Sequence, residues 1–292
     1  MNSTISIDHP PNFSFRHTVG SHGWYDLPPF VYDEAGGELT YVLQTDDGAV
    51  SVSVKDVGTR LKVRLTGDKV DKRAAGAAVR HLLRLDEDLG PFYKMTDEDA
   101  PLRWAGKTCA GRMLRSATVW EDLVKTICTT NCSWGLTRIM TGNLVEKLGE
   151  TAADGKRAFP TARAMAGVDA DFYREEIRAG YRSPYFVELA ASVAGGDVDP
   201  ESWLRSELTT PELKKEMKRI KGVGDYAAEN LLKLVGRYDG LALDSFLRSE
   251  FYKKRNAEKA CTDKKIARHY AKYGQWAGLA IWLDMTAKWF DE

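Results

Sequence analysis

The apolar pattern of the chain changes once, near residue 70, and this change limits the possible folds more than any other feature of the sequence. Residues 12 to about 66 are predicted to be mainly strand, because the β-rich runs TYVLQT, VSVSV and LKVRLTG are broken by GG and DDG turn signals. A helix is predicted over about 72–85, where Ala75, Val79 and Leu82 share one face. From about residue 100 onward the periodicity is almost entirely helical.

This order of elements predicts an α+β fold, in which a small antiparallel β-sheet domain at the N-terminus is followed by a mostly α-helical domain. We place the sheet domain with its flanking helix at residues 1–105 and the helical domain at residues 106–292. The 292 residues, 43% of them hydrophobic, are enough for one large or two moderate domains. In the second domain, helices are predicted at about 171–178, 184–194, 211–219, 225–236, 245–254, 263–272 and 275–290.

The sequence lacks the marks of a secreted or membrane-bound protein. Its first residues, MNSTISIDHPPNF, show neither the basic nor the apolar part of a signal peptide, and no stretch approaches 18 uninterrupted apolar residues. We therefore expect the protein in the cytoplasm if it is bacterial, or in the nucleus if it is eukaryotic. We also expect it to be a monomer. Cys109, Cys128, Cys132 and Cys261 are too few and scattered for a disulfide framework or a zinc or iron–sulfur site, so we expect buried thiols, no metal and no cofactor.

Positive charge is concentrated in one part of the chain, although the formal net charge is zero. Residues 211–273 contain 16 Lys and Arg against 9 Asp and Glu, a net charge of +7, and the remainder of the chain carries −7. Such a region could attract a nucleic-acid backbone. A run such as KKEMKR is also typical of a solvated helix face.

The tripeptide Gly222-Val223-Gly224 lies between two predicted helices, 211–219 and 225–236. Glycine permits a tight turn and the close approach of another chain. Amides at the start of the following helix would point at an anion, favoured there by the helix dipole. The pattern indicates a helix-hairpin-helix that binds a phosphate, with a possible monovalent cation near Gly222 and Gly224. An ordinary turn between two helices would use the same residues.

Asp244 follows the apolar loop after the second of these helices and precedes the predicted helix SFLRSEFYKK. Aspartate is a common helix N-cap, a role that contributes about 1 kcal/mol. Capping and catalysis are compatible here, because a carboxylate held by helix amides stays ionised and keeps a fixed direction.

These features together resemble the helix-hairpin-helix (HhH-GPD) base-excision DNA glycosylases. The GVG turn, a helix of about ten residues and an apolar loop ending in aspartate are similar to the signature of that family. The segments LVKTICTTNCSW, FPTARAMAGVDADFYREEIRAGYRSPYFVELAASV and YGQWAGLAIWLDM resemble successive parts of its oxoguanine glycosylases. The resemblance covers about residues 70–290 and implies that the partner is double-stranded DNA containing a damaged base.

The resemblance also implies a role for individual residues. It implies that Asp244 is the catalytic carboxylate and that Tyr226, Trp282, Gly278 and Trp24 form the base pocket. The implied DNA contacts are the hairpin Gly222, Val223 and Gly224 with Lys221, the strand-contacting Asn131, the wedge residue Tyr181 and the adjacent Arg182. The alternatives are packing for Tyr226, Trp282 and Tyr181, a helix cap for Asn131 and a solvated surface for Arg182 and Lys221. For Trp24, Tyr25 and Trp134, a place in the core is favoured over a place in the pocket.

Two departures from the oxoguanine pattern bear on the chemistry. Tyr226 stands where the bifunctional enzymes carry the lysine that attacks the sugar, and neither Lys221 nor Lys233 aligns with that nucleophile. Gly278 stands where those enzymes read the base with glutamine, and Trp282 where they stack it with phenylalanine. An aromatic residue at the lysine position resembles the monofunctional 3-methyladenine glycosylases.

These two departures favour one hypothesis about the function and leave two alternatives. The favoured one is a monofunctional DNA glycosylase that excises a damaged purine in base excision repair, and an alkylated purine is the expected substrate. The first alternative is a bifunctional oxoguanine-type glycosylase/lyase. The second is a helix-hairpin-helix protein that binds DNA or lesions without catalysis.

Overall fold

A five-stranded antiparallel sheet forms the first part of the computed structural model, which describes residues 2–290. The strand order is β1-β5-β4-β3-β2. The strands are β1 Asn2–Asp8, β2 Val31–Asp33, β3 Glu38–Thr45, β4 Gly48–Asp56 and β5 Arg60–Thr66. The three predicted β-rich runs are confirmed as β3, β4 and β5. The prediction that residues 12–30 are mainly strand is wrong, since the chain there forms a short helix at Phe15–Val19 and a 3-10 helix at Gly23–Asp26.

Local sequence explains the central hairpin and the burial of the sheet. Thr45 pairs with Gly48 across a two-residue turn, and Gly48 has φ +116°, a conformation that favours glycine. In β5, Leu61, Val63 and Leu65 alternate with exposed charged residues and are fully buried. One face of the sheet therefore belongs to the core.

The chain beyond the sheet is mostly helical. The helices are α1 Phe15–Val19, α2 Lys72–Leu82, α3 Gly90–Asp97, α4 Arg103–Thr108, α5 Val119–Thr129, α6 Trp134–Leu148, α7 Ala162–Ala166, α8 Ala170–Glu175, α9 Ser183–Gly195, α10 Thr210–Met217, α11 Asp225–Leu234, α12 Ser245–Arg255, α13 Asp263–Tyr270 and α14 Ala277–Thr286. Short 3-10 helices span Gly23–Asp26, Gly180–Arg182, Pro200–Arg205, Ala271–Trp276 and Ala287–Phe290. Within the described residues, no helix combines the length and apolar character needed to cross a membrane.

The α+β fold class is confirmed, and buried side chains show how its parts meet. One apolar cluster joins the sheet to α2, and a second joins α5, α6, α9 and α11. A third joins α3 and α4 to the C-terminal helices, since Leu89, Phe92 and Leu102 pack with Leu279 and Ile281. The division at residue 105 stays a prediction. Residues 89–105 pack with the helical part of the chain.

Helix α5 connects the sheet to the helical part through a buried polar network. The Tyr41 hydroxyl on β3 donates to the Glu121 carboxylate, and Lys125 Nζ lies 2.6 Å from Glu121 Oε1. On the adjacent position of the helix, Asp122 Oδ1 accepts from Trp24 Nε1 at 2.7 Å. A buried charge is tolerated when it is paired and hydrogen-bonded. The network fixes α5, and with it the turn that follows at residues 130–131.

Candidate active site

A cavity of about 690 Å³ opens between residues 16–34 and helices α5, α6, α11, α12 and α14. Its volume is in the range of small-molecule sites in proteins. Four residues that the sequence assigns to the site line this cavity together: Asp244, Tyr226, Trp282 and Trp24. The other lining residues are Arg16, Gly20, His22, Gly23, Tyr25, Tyr32, Glu34, Met113, Thr126, Thr129, Cys132, Trp134, Thr137, Asn230, Leu234, Ala242, Phe246, Trp289 and Phe290.

Asp244 is a half-buried N-cap at the start of α12. Its Oδ1 accepts a hydrogen bond from the Leu247 amide at 2.7 Å. The loop before it is tied to α11, because Glu229 Oε2 accepts from the Ala242 amide at 2.6 Å. Glu229 also pairs with Lys214 on α10 at 2.5 Å. Sequence reasoning missed Glu229, which fixes the offset between the helix after the hairpin and the carboxylate.

Tyr226 begins a row of cavity-lining side chains on α11. Asn230 and Leu234 follow it at intervals of four residues, so the three share one helix face. Burial raises the pKa of the Tyr226 phenol, a hydrogen bond with Thr129 offsets part of the rise, and the Asp244 carboxylate adds to it. Tyr226 is therefore a neutral phenol beside the carboxylate. Helical periodicity from Tyr226 could have identified Asn230 from the sequence.

Trp282 forms another wall of the cavity and contacts a buried lysine. Its Nε1 donates to the Ser21 carbonyl at 2.9 Å, which fixes the orientation of the indole. Lys233 Nζ lies over the Trp282 ring, 5.4 Å from the ring centre, and donates to the Leu241 carbonyl at 3.4 Å. Burial lowers the pKa of Lys233 to about 8, opposed by the charges of Asp244 and Glu229.

Trp24 is both buried and part of the cavity wall, so its two sequence interpretations are compatible. Its ring lies 4.9 Å from the ring of His22. The His22 Nε2 lies 2.8 Å from the Leu114 carbonyl oxygen and donates to it. Burial lowers the pKa of His22 to about 4, so the imidazole is neutral at pH 7 and its Nδ1 carries a lone pair.

Several aromatic residues line the cavity without having been predicted to do so. The core interpretation of Tyr25 and Trp134 is wrong, since their side chains are 37% and 39% exposed and both line the cavity. Trp134 Nε1 donates to Asp26 at 2.8 Å instead of being buried. At the rim, the rings of Phe246 and Trp289 lie 5.7 Å apart. Nothing in the local sequence pattern indicates that the C-terminal Trp289 reaches this cavity.

Gly278 is the predicted pocket residue that the structure places elsewhere. It is buried against the loop that precedes Asp244 and does not line the cavity. Its amide donates to the Tyr238 carbonyl at 2.6 Å, and a Cβ added to it would overlap the Gly240 carbonyl oxygen. Gly278 lies outside the cavity because α14 packs closely on this loop.

The hairpin Gly222-Val223-Gly224 joins α10 to α11 through a tight turn. Gly222 has φ +90°, and a Cβ there would lie 3.1 Å from Tyr185. Val223 is buried, and Gly224 is the N-cap of α11 with no side-chain cap hydrogen bond. Lys221 is 63% exposed and pairs with Glu188 at 2.5 Å. Binding of a phosphate by these residues, and of a cation at the hairpin, stays a prediction.

Asn131 and Tyr181 lie side by side on two separate segments. Asn131 has φ +48°, and its Nδ2 lies 3.4 Å from the Tyr181 hydroxyl. Tyr181 is 50% exposed, and its ring lies 6.0 Å from the ring of Tyr185. The turn and the 3-10 helix thus present one polar and one aromatic side chain at the same place.

Arg182 does not have the exposed position predicted for a phosphate contact. It is 3% exposed, its Nε donates to the Ile127 carbonyl at 3.1 Å, and its Nη2 donates to the Thr130 carbonyl. These two carbonyls belong to the end of α5, where helix carbonyls lack helical partners. The guanidinium is therefore used to hold the Thr130–Asn131 turn.

Comparison with known proteins identifies the fold. No protein-family model matches the chain, and no curated protein matches it in sequence. Among solved structures it is similar to MBOgg1 in complex with a low-affinity DNA ligand, with 21% identity and a TM-score of 0.79 over 99% of this chain and 97% of that one. It is also similar to the 3-methyladenine DNA glycosylase from Archaeoglobus fulgidus, with 20% identity and a TM-score of 0.77 over 99% of both chains. For the Clostridium acetobutylicum 8-oxoguanine glycosylase/lyase in its apo form the identity is 18% and the TM-score 0.77, over 98% of this chain and 97% of that one. The chain therefore has the fold of the helix-hairpin-helix (HhH-GPD) DNA glycosylases.

Proposed function

We propose that the protein is a monofunctional DNA glycosylase that hydrolyses the N-glycosidic bond of a damaged purine in double-stranded DNA, as a step of base excision repair. One observation carries the proposal: Asp244 lies in the same cavity as Tyr226, Trp282 and Trp24. The cavity also opens beside α11, whose N-terminus is the hairpin. An anchor for the DNA backbone and a pocket for a base thus belong to one helix.

The reaction begins with extrusion of the damaged nucleotide, because a base stacked in the duplex cannot reach an enclosed cavity. The hairpin holds the backbone phosphate through amides at the start of α11. Lys221, whose exposed side chain pairs with Glu188, adds a positive charge beside it. Tyr181 occupies the space that the extruded base leaves, and Asn131 contacts the opposite strand.

Asp244 acts on the sugar of the extruded nucleotide. The bond between C1′ and the base nitrogen breaks, and its electron pair leaves with the base. The carboxylate stabilises the resulting positive charge on the sugar and accepts a proton from the attacking water, whose oxygen forms the new bond to C1′. The proton then passes to the released base. The Leu247 hydrogen bond holds the carboxylate in place during these steps.

Tyr226 is the basis for proposing hydrolysis without strand cleavage. A glycosylase that also cleaves the strand needs an amine that forms a Schiff base with the sugar. The residue that lines the cavity beside Asp244 at this position of α11 is a neutral phenol. Water is then the nucleophile, and the product is an intact strand with an abasic site.

The aromatic walls support a purine as the extruded base. Trp24, Trp282 and Tyr226 offer flat apolar faces, which stack on bases irrespective of their hydrogen-bonding edge. Gly278 has no side chain and lies outside the cavity, so it offers the base no hydrogen bond. An alkylated purine remains the first candidate from the sequence, because stacking alone can recognise it.

The deciding experiment is base release from a panel of duplexes that each contain one lesion: an N-alkylpurine, hypoxanthine, uracil or oxoguanine. We expect release of a purine lesion, with strand cleavage only after alkali treatment. Release of no base from any duplex would overturn the proposal and favour a protein that binds DNA without catalysis. Cleavage without alkali would overturn the monofunctional mechanism.

A bifunctional oxoguanine-type glycosylase/lyase is the second candidate. The likeness to the Clostridium acetobutylicum enzyme favours it, as does the amine of Lys233, whose pKa the Asp244 charge influences. Lys233 does not line the cavity, however, and is 1% exposed. Borohydride trapping on oxoguanine DNA separates the two candidates, because only a Schiff base gives a covalent adduct.

A further inference from the structure

Lys233 is a buried positive charge behind the wall of the proposed base pocket. It projects from α11 one turn beyond Asn230 and is 1% exposed. Its ammonium lies 5.4 Å from the centre of the Trp282 ring and within 3.4 Å of the Leu241 carbonyl oxygen. The reaction described above does not use it.

The charged and titratable groups around Lys233 are few and placed on different elements. Glu229 on α11 is engaged by Lys214 and by the Ala242 amide. Asp244 at the start of α12 is held by the Leu247 amide. His22, from the segment across the cavity, is neutral at pH 7 and experiences the charges of Arg84, Lys125 and Lys233. Lys233 therefore places a positive charge against the Trp282 wall of the cavity.

We propose that Lys233 determines the charge of the base that this cavity accepts, so that its substrate is an uncharged damaged purine, not a cationic one. This inference rests on the proposed glycosylase function. It narrows the substrate to deaminated, oxidised or uncharged alkylated purines, and it excludes purines that carry a fixed positive charge, such as N7-methylguanine.

Two physical effects lead to this selection. An aromatic face attracts a cation through its negative electrostatic potential. The Trp282 ring already interacts with the Lys233 ammonium, so a second cation stacked on this indole gains less attraction and is repelled by the lysine. An uncharged purine keeps its full stacking energy on Trp282, because that stacking does not depend on a positive charge.

The second effect is electrostatic stabilisation of the base as it leaves the sugar. When the bond to C1′ breaks, an uncharged base takes the electron pair and becomes negative, whereas a cationic base becomes neutral. A fixed positive charge in a cavity that excludes water stabilises the developing negative charge. Lys233 keeps its proton throughout. It acts on the leaving base through its field, while Asp244 acts on the sugar.

The test compares two duplexes, one with hypoxanthine and one with N7-methylguanine, under single-turnover conditions. Wild-type protein should accelerate hypoxanthine release more than N7-methylguanine release, each relative to the spontaneous rate. Lys233→Met has a similar length and no charge. It should slow hypoxanthine release about tenfold to a hundredfold and leave N7-methylguanine release unchanged or faster. Lys147→Met on α6, which removes a half-exposed lysine paired with Glu176, is the control and should change neither rate.

The opposite responses of the two substrates distinguish an electrostatic role from a structural one, since loss of folding slows both. Equal slowing of both reactions by a folded Lys233→Met protein, or a wild-type preference for N7-methylguanine, overturns the inference while the glycosylase function stands. Release of no base by wild-type protein, from these two duplexes or from the other lesion duplexes of the panel, overturns both.

If Lys233→Met does not fold, the wild-type pH profile provides the same information. The ammonium loses its proton above pH 8, in the presence of Glu229, Asp244 and neutral His22. We then expect the rate ratio of hypoxanthine to N7-methylguanine to fall between pH 7 and pH 9. A constant ratio overturns the inference.

Discussion

The Asp244 carboxylate accepts a hydrogen bond from the Leu247 amide 2.7 Å away, so that one side chain both caps α12 and faces the cavity. Asparagine is as good an N-cap as aspartate. We therefore expect Asp244→Asn to keep the melting temperature and to lower base release by about a hundredfold to a thousandfold or more. DNA binding should be kept or tightened, because a negative charge near the phosphates is removed. Fluorescence anisotropy and single-turnover release measure the two effects.

The control for this variant is the same change at another helix cap. Asp169 caps α8 by accepting from the Phe172 amide at 2.8 Å and does not line the cavity. Asp169→Asn should leave base release unchanged. Equal activity of Asp244→Asn and wild-type protein would show that Asp244 is only a cap.

The salt dependence of DNA binding tests Lys221. Each lysine that neutralises a phosphate adds about one to the slope of log affinity against log salt concentration. Lys221→Ala should lower this slope by about one and change stability little, since its pair with Glu188 is exposed. Lys55→Ala, on the exposed part of β4, serves as the control. Identical salt slopes for Lys221→Ala and Lys55→Ala would show that the duplex does not bind beside Lys221.

The exposed ring of Tyr181 should contribute to extrusion of the base. Tyr181→Ala removes an aromatic face that is 50% exposed, and we expect it to slow base release from a paired duplex about tenfold. The loss should be smaller when the lesion lies in single-stranded DNA, because little unstacking is then needed. Tyr181→Phe keeps the ring and should behave as wild type. The same loss on both substrates would contradict a wedge role.

Arg182 should affect stability first. Removing the buried guanidinium deletes its hydrogen bonds to the Ile127 and Thr130 carbonyls, and a hydrogen bond to a charged group contributes about 1.5–3 kcal/mol. We expect Arg182→Ala to lower the free energy of unfolding by about 2 kcal/mol or more, measured by urea denaturation. An unchanged unfolding free energy combined with a lower salt slope would restore the predicted phosphate contact.

His22 should make the protein sensitive to mild acid. Its pKa falls from 6.5 in the unfolded chain to about 4 in the fold, so between these values the unfolded state binds more protons. Stability is present above pH 6.5 and is lost as the pH falls, by about 1.4 kcal/mol per pH unit for this residue. His22→Asn cannot take up the proton and should lose about 2 kcal/mol less than wild type between pH 7 and pH 5. Equal losses of unfolding free energy in the two proteins would contradict a buried, neutral His22.

Local features of the sequence predicted the part of the site built by contiguous residues. The helix predicted at 225–236 is α11, and Asp244 follows it at the start of α12. Glycine, helix periodicity and capping chemistry act over a few residues, so one sequence contains enough information to place them. The pocket position of Tyr226 was implied by the resemblance, and α11 fixes that residue relative to the hairpin.

Residues whose role depends on distant segments were harder to predict. Arg182 is buried because the end of α5 needs donors, and those carbonyls lie more than fifty positions earlier in the chain. Trp134 was expected in the core, but α6 presents it to a cavity that is closed partly by residues 16–34 and 289–290. Hydrophobicity alone does not distinguish a core tryptophan from one that lines a cavity.

The contact between Gly278 and the Gly240 carbonyl restricts how the base preference of this protein can evolve. Any side chain at 278 would displace the loop that carries Asp244, so a glutamine reader cannot be introduced by a single substitution without disturbing the carboxylate. A lineage that gained hydrogen-bond recognition of the base would have to place the new donor or acceptor on a residue that lines the cavity, such as His22 or Asn230. For enzyme engineering, these two positions are the accessible route to a new specificity.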